Sequence, residues 1–280
     1  MTGPMKKINY GKIIYYVVLG AAGIVILYPL VFMLMSSVKD NYEVLRNPFG
    51  ITKVYFKNYV DAWEMGRIGR YFFNSVKVTF FTLVFQIVIV CLASYAIGKL
   101  KPWGYKIIFS LIIMMMFVST EMVTVPNYVT IRSLGILGTH AGLAIWYITG
   151  IGLVMGTYIL TNFIRSLPKE LDEAALIDGA GVFQIMIRID MPLVLPALAT
   201  LVIFNFSGIW SEFFWALITI NRYDALKTLP LGLINFQSQF TSNYGVLTAG
   251  LSILTLPVVV VYLFFSKYFI ANISAGALKG

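Results

Sequence analysis

The residues able to do chemistry in this chain are few, and they are gathered. Five of its twelve acids, Glu170, Asp172, Glu173, Asp178 and Asp190, fall in the stretch Pro168–Pro196, PKELDEAALIDGAGVFQIMIRIDMPLVLP. Catalysis is a poor fit. The chain has one histidine, His140, and one cysteine, Cys91, which lies in an apolar run. That leaves no HExxH pair, no Ser/His/Asp set, no disulfide framework and no thiolate metal cluster. No GxxxxGK[ST] phosphate loop occurs either. Two more acids, Glu121 and Glu212, stand inside apolar stretches. A charge at such depth costs about 2.5–3.5 kcal/mol on insertion scales, so each needs water, a partner or a functional reason.

The elements that must position these groups follow from the pattern around them. Pro168 suits a first helical turn, where its missing N–H costs nothing, and the acids after it suit a helix N-terminus. The helix should run to about Asp178 and break at Gly179, because Gly179 and Gly181 permit backbone angles other residues avoid. A second short helix, Val182–Ile189, should end before Pro192. The product is a helix–turn–helix lying outside the bilayer between two hydrophobic spans.

The rest of the chain is lipid-like. Of 280 residues 59% are hydrophobic and 12% charged, with a mean hydropathy of +0.83. Soluble domains carry about 25% charged residues, so this composition belongs to a polytopic membrane protein. A net charge of +9 invites a nucleic-acid reading, but the basic residues are scattered among loops and span ends, where they anchor headgroups. Six apolar runs predict six spans: Ile13–Met35, Phe72–Ile97, Ile107–Val125, Ala141–Ile164, Leu193–Ile220 and Gly245–Ile270. The first follows Lys6, Lys7 and Lys12, is too long for a signal-peptide core and lacks a small-residue cleavage site, which predicts a retained span. Ser36–Arg70 is the longest polar loop, with short helices expected in it. Asn127–His140 and Asn221–Asn243 are expected to be loops. Gly152 and Gly156 form a GxxxG pair that suits close helix packing within the bundle. The fifth run is unusually polar for lipid, with Asn205, Ser207, Trp210, Ser211 and Glu212.

Glu173-Ala174-Ala175, then Asp178-Gly179-Ala180, then Pro192 and Pro196 resemble the EAA loop of ABC-importer permeases. Three further segments are similar to carbohydrate-type permeases of the maltose-permease G-like branch: Glu121–Pro126, Trp210–Trp215, and the terminal Ser-Ala-Gly-Ala-Leu-Lys-Gly. The branch pattern reads Trp-Asn-Glu where this chain has Trp210-Ser211-Glu212, so no asparagine-specific role carries over. The resemblance covers nearly the whole chain from Ile13. It implies an all-α fold, a six-transmembrane-helix ABC-importer permease bundle with a cytoplasmic EAA coupling helix between helices 4 and 5. One permease domain is expected over 1–280, with its core at about 70–270, the coupling loop at 168–191 and a tail at 274–280.

The same resemblance implies a mechanical half of a pore rather than an enzyme. ATP and Mg would be handled by two partner ATPase subunits, and this chain would need no cofactor. The further partners implied are a second homologous permease forming a heterodimer, an extracytoplasmic solute-binding protein and the lipid bilayer, with no nucleic acid. In the coupling loop Glu173 would be the acidic contact to the ATPase, Ala174 and Ala175 the small face that lets it seat, and Gly179 the turn, flanked by Asp178 and Ala180. Ala275, Gly276 and Lys279 of the tail would reach towards the ATPase dimer. Glu121, Asn205, Trp210, Ser211 and Glu212 are candidates for the solute path. For Glu121 and Glu212 the alternatives are a place near the outer interface or a pairing with the partner permease. The implied solute is a sugar, an oligosaccharide or a related polyol, and the implied location a bacterial or archaeal cell membrane. A six-span secondary transporter and a non-transport membrane scaffold are the competing classes.

Six spans put both termini on one side. With the N-terminus inside, eleven Lys/Arg fall on the cytoplasmic side and ten on the other, which decides nothing. Orientation rests on the three N-terminal lysines and on Lys99, Lys101 and Lys106 around Pro102, both in short segments where the positive-inside rule applies best. Gly104 and Gly179 are then expected inside, and Gly50 and Asn235 outside.

Overall fold

The computed structural model describes residues 10–239 and 243–277, and among these there is no strand. The chain falls into two compact units, one running up to Arg67 together with Phe236–Ile253, the other comprising Ile68–Asn235 and the chain from Leu254.

In the first unit the long helix α1 (Tyr10–Ser37) leads into two short ones, α2 (Asn41–Arg46) and α3 (Lys57–Glu64). The apolar face of α1 is largely open, whereas its C-terminal end is tightly bound. Lys39 is fully buried and donates to the carbonyls of Asn47 and Pro48 at 2.9 and 3.0 Å. A cation so placed satisfies carbonyls freed at the end of α2. Asn58 of α3 donates to the carbonyls of Ser37 and Lys39 at 3.0 and 2.7 Å. The expected short helices of the 36–70 loop are thus stitched to the end of the first span.

The second unit is built around α4 (Ile68–Tyr95), which continues into a π-helical turn, Ala96–Leu100. Then come α5 (Tyr105–Met115), α6 (Thr120–Ser133), α7 (His140–Thr149), α8 (Ile151–Arg165) and α9 (Glu170–Ile177). After α10 (Val182–Ile185) a second π-helical turn, Met186–Asp190, leads to α11 (Met191–Leu193) and α12 (Leu195–Trp210), followed by α13 (Phe214–Ile220); α14 (Leu229–Gln239) and α15 (Tyr244–Ala277) are each divided between the two units. α4 packs against α7, α8 and α12. Gly98 lets its π-helical end approach α8, since a Cβ there would stand 2.9 Å from Ile164 Cγ2.

Among the described residues four helices are long and apolar enough to cross a membrane, and up to six spans result if two bent pairs each count as one. The bends correct the sequence expectation. The third run is not one helix over Ile107–Val125: α5 and α6 meet at 105° across Met116–Ser119. Ser119 takes extended backbone and Glu121 lies in the first turn of α6, both helix-start signals within an apolar run. Helix also replaces most of the expected 127–140 loop. The second arm of the acidic stretch does not stop before Pro192; it stays helical to Leu193 and turns 75° into α12. Pro196 sits in the first turn of α12, where proline is tolerated, and Pro192 follows directly on the π-helical turn, near the end of the arm. The fifth run breaks at Ser211–Phe213, and the fourth at Gly150, which is extended.

The expected 221–243 loop contains α14. Its start is pinned to α4: Leu229 N–H donates to Ser75 Oγ at 2.8 Å, and Asn74 Nδ2 donates to the carbonyls of Ala225 and Lys227, both at 2.9 Å. Gly232 faces Tyr71 so closely that a Cβ would fall 2.1 Å from the ring.

In a Cys91→Ser background, single cysteines at Trp103 and Ile177, which are 99% and 86% exposed, should resist an impermeant thiol reagent in intact cells. Cysteines at Phe49 and Tyr223 should react. Strong labelling at Ile177 in sealed cells would break the six-span topology.

Candidate functional site

The breaks in the spans converge on a cavity of about 270 Å³. α4 contributes Gln86, α6 Thr120, α7 Trp146 and Tyr147, α8 Gly152 and Met155, and α12 Asn205 and Gly208, with Glu212 at the end of the lining. A second space of about 240 Å³ follows the α5–α6 break, lined by Met115, Val118 and Thr120, and shares Trp146 and Gly150 with the first.

Two polar groups at the cavity, Gln86 and Glu212, have a backbone reason to be there. α7 stops at Thr149, so the carbonyl of Tyr147 loses its helical donor, and Gln86 Nε2 supplies one at 3.1 Å. Gln86 is 1% exposed, and its Oε1 has no hydrogen-bond partner. Gly152 is needed for this arrangement, because a Cβ would stand 2.8 Å from both Gln86 Nε2 and Asn205 Oδ1. The other half of the GxxxG pair, Gly156, faces Val90 of α4, so the motif serves packing inside the chain.

Glu212 caps α13. Its Oε1 accepts Trp215 N–H at 2.6 Å, while its Oε2 accepts Ala216 N–H at 3.3 Å and the Tyr147 hydroxyl at 2.5 Å. Three donors thereby offset the desolvation of a carboxylate in a span. Beneath it Trp146 stacks on Trp215, with ring centroids 4.5 Å apart.

The five path candidates separate. Asn205 and Glu212 line the cavity. Trp210 is 2% exposed, donates its indole N–H to the Leu254 carbonyl at 2.9 Å and packs on Phe72 and Phe206, so it is a core residue. Ser211 and Glu121 are exposed and line neither space. Gln86, Trp146 and Tyr147 are cavity residues the sequence reading passed over. A lone amide in an apolar run was the available signal for Gln86.

The acidic stretch forms a separate, outward feature. α9 ends in a Schellman motif: Ala180 N–H donates to the Ala175 carbonyl at 2.9 Å and Gly179 N–H to that of Leu176 at 3.0 Å. Gly179 has φ +80°, as the motif requires, and nothing lies within 4 Å of where its Cβ would be. Glu173, Ala174, Leu176, Ile177 and Asp178 are exposed, Ala180 is half-buried, and Ala175 is turned into the bundle. Of the two alanines expected to form a seating face, Ala174 alone is available to a partner. In the tail, Ala275 and Gly276 fall on the last backbone turn of α15, and Lys279 lies outside the described residues.

Residues 89–274 match the family model described as binding-protein-dependent transport system inner membrane component. The chain belongs to this family. It is 32% identical over 278 residues to a probable ABC transporter permease protein, YurM, of Bacillus subtilis (strain 168), covering 99% of this chain and 92% of the relative. It is also 32% identical over 253 residues to the melibiose/raffinose/stachyose import permease protein MelC of the same organism, covering 90% and 91%. A chain of a bacterial ABC transporter involved in the import of the acidic polysaccharide alginate shares the fold, with a TM-score of 0.81 and 22% identity over 96% of this chain and 100% of that one. This permease therefore has the helical importer fold, and the matched segment contains both the acidic loop and most of the cavity helices.

Tyr147→Phe and Glu212→Ala should each lower the thermal stability of the purified permease, by about 1.5–3 kcal/mol for a hydrogen bond to a charged group. Glu212→Ala should cost roughly a further 0.5–2 kcal/mol through the lost cap. The double variant should fall short of the sum, since both remove one bond. Strict additivity would place the two side chains in independent roles.

Proposed function

We propose that this permease is one of two membrane subunits of an ATP-driven importer for a neutral carbohydrate or polyol, and that residues 170–193 dock on a separate ATPase. The observation that carries the reading is the exposed acidic helix closed at Gly179, in a chain of the importer-permease family. Glu173 supplies a charged contact, and Ala174, Leu176 and Ile177 supply small and apolar contacts for a cleft. ATP binding closes the ATPase pair, the loop moves with it, and the cavity changes its access from one side of the membrane to the other. An extracytoplasmic binding protein delivers the solute. The chemical step with ATP belongs to the ATPase subunits, and the basic segments around Lys99–Lys106 face the cytoplasm.

The solute class is supported by the names of relatives, which include permeases for melibiose, raffinose and stachyose and for arabinooligosaccharides. It is supported too by the cavity lining, where the amides of Gln86 and Asn205 and the indole of Trp146 lie together. Amides hydrogen-bond hydroxyl pairs and an aromatic face takes the apolar side of a sugar ring, and neither needs a charged ligand.

Docking is tested by two substitutions in the co-expressed transporter. Gly179→Asp places a side chain at positive φ, at a cost of about 1–2 kcal/mol, and adds a charge beside Asp178. It should lose the ATPase subunits on purification. Glu173→Ala keeps the turn and deletes one charged contact worth about 1.5–3 kcal/mol, so docking should weaken roughly ten- to a hundredfold while transport falls. Normal ATPase retention and uptake in both variants would remove the coupling role.

A further inference from the structure

Lys99 differs from its exposed neighbours Lys101 and Lys106 in being largely covered, with 11% of its side chain exposed. Its Nζ donates to Asp172 Oδ2 and lies 3.3 Å from Asp190 Oδ1. Asp172 belongs to α9, before Gly179; Asp190 ends the π-helical turn after it. One ammonium at the end of α4 thus holds both arms of the acidic loop.

The arrangement is a poor way to gain stability alone. The Asp190 side chain is 1% exposed, Asp172 Oδ1 lacks a hydrogen-bond partner, and burial, with the neighbouring Asp172, raises the Asp190 pKa against the pull of Lys99. Desolvating ions costs several kcal/mol each, and well-packed apolar residues often serve equally well for stability. Two carboxylates depending on one ammonium therefore call for another reason. Both Lys99 and Asp190 sit on π-helical turns, a rare geometry often associated with functional sites. Tyr95, one turn earlier on α4, reaches the Val182 carbonyl at 3.5 Å.

α4 leads from this cluster to the cavity. Gln86 lies thirteen residues before Lys99, roughly 20 Å along a helix rising about 1.5 Å per residue. There it holds the carbonyl at the α7–α8 break. We propose that Lys99, with Asp172 and Asp190, is a positioning residue that straps the acidic loop to α4. Displacement of the loop is then delivered along α4 to Gln86 and the cavity, not only through the directly connected α8 and α12. This inference rests on the docking role given to the loop above.

The test uses the assembled transporter, with spin labels at Trp103→Cys and Leu171→Cys in a Cys91→Ser background, read by pulsed electron spin resonance. The permease is otherwise unchanged, or carries Lys99→Met, or Lys99→Met with Asp172→Asn and Asp190→Asn. The single change leaves two buried carboxylates uncompensated and should lower yield; the triple change removes that burden and should restore it. With Lys99 present, one narrow distance should persist in the nucleotide-free and ATP–vanadate-trapped states. In the triple variant the distribution should broaden even without nucleotide, and the distance should shift on trapping while the ATPases stay bound. Unaltered distances in the triple variant would overturn the strap. So would loss of the ATPases from it, which would make the cluster an assembly contact. A parent transporter that purified without ATPases would count against the docking role, while broadening in the triple variant would still support the strap.

Discussion

Backbone N–H and C=O groups cannot be left unpaired in a lipid-like medium, and the membrane-facing part of this permease is arranged around that constraint. Irregular backbone at membrane depth is tolerated where protein or a water-lined cavity receives it. Here three spans are interrupted, at Met116–Ser119, Gly150 and Ser211–Phe213, and two adjoining cavities follow the interruptions. Each break has its own remedy. After α5 the chain tightens, with Met116, Phe117 and Val118 each bonding back three residues. At Gly150 the freed carbonyl of Tyr147 takes Gln86, and beyond Trp210 the carboxylate of Glu212 gathers the first amides of α13. Gln86 and Glu212 thus answer breaks in the helices, and those breaks lie beside the cavities.

Glu212 has two consequences from one set of bonds. Its carboxylate is engaged by two backbone amides and Tyr147, so its first effect is to fix the end of the fifth span. It nevertheless lines the cavity, and the same charge shapes the field there. Gln86 is the opposite case, with a nitrogen committed to structure and an oxygen unspent.

Much of this was legible in the sequence. The turn at Gly179 was written in the chain because a Schellman motif needs positive φ, and glycine is the residue that supplies it without strain. The six apolar runs were legible for the same kind of reason, since span length is set by bilayer thickness. The bends were less so. Hydropathy averages over a window, and Ser119-Thr120-Glu121, a helix start, is outweighed by the apolar residues around it. Trp210 and Gln86 show what periodicity cannot give. Which face of a buried helix meets a cavity and which meets core depends on the neighbours, so an indole was assigned to the path and an amide overlooked. The Lys99 cluster was equally hidden, because its members are 73 and 91 residues apart in sequence and meet through two π-helical turns.

On the function proposed above, the interrupted spans enclose a water-accessible path whose access follows the cycle of a partner ATPase. Thiol accessibility at Asn205, half-buried at the cavity wall, tests it most directly. In a Cys91→Ser permease within the assembled transporter, a cysteine at Asn205 should react with a charged, lipid-insoluble thiosulfonate, and the side from which it reacts should change when ATP is bound. Reaction confined to a lipid-soluble maleimide, alike with and without ATP, would mean that the breaks are packing features and that no path runs through them.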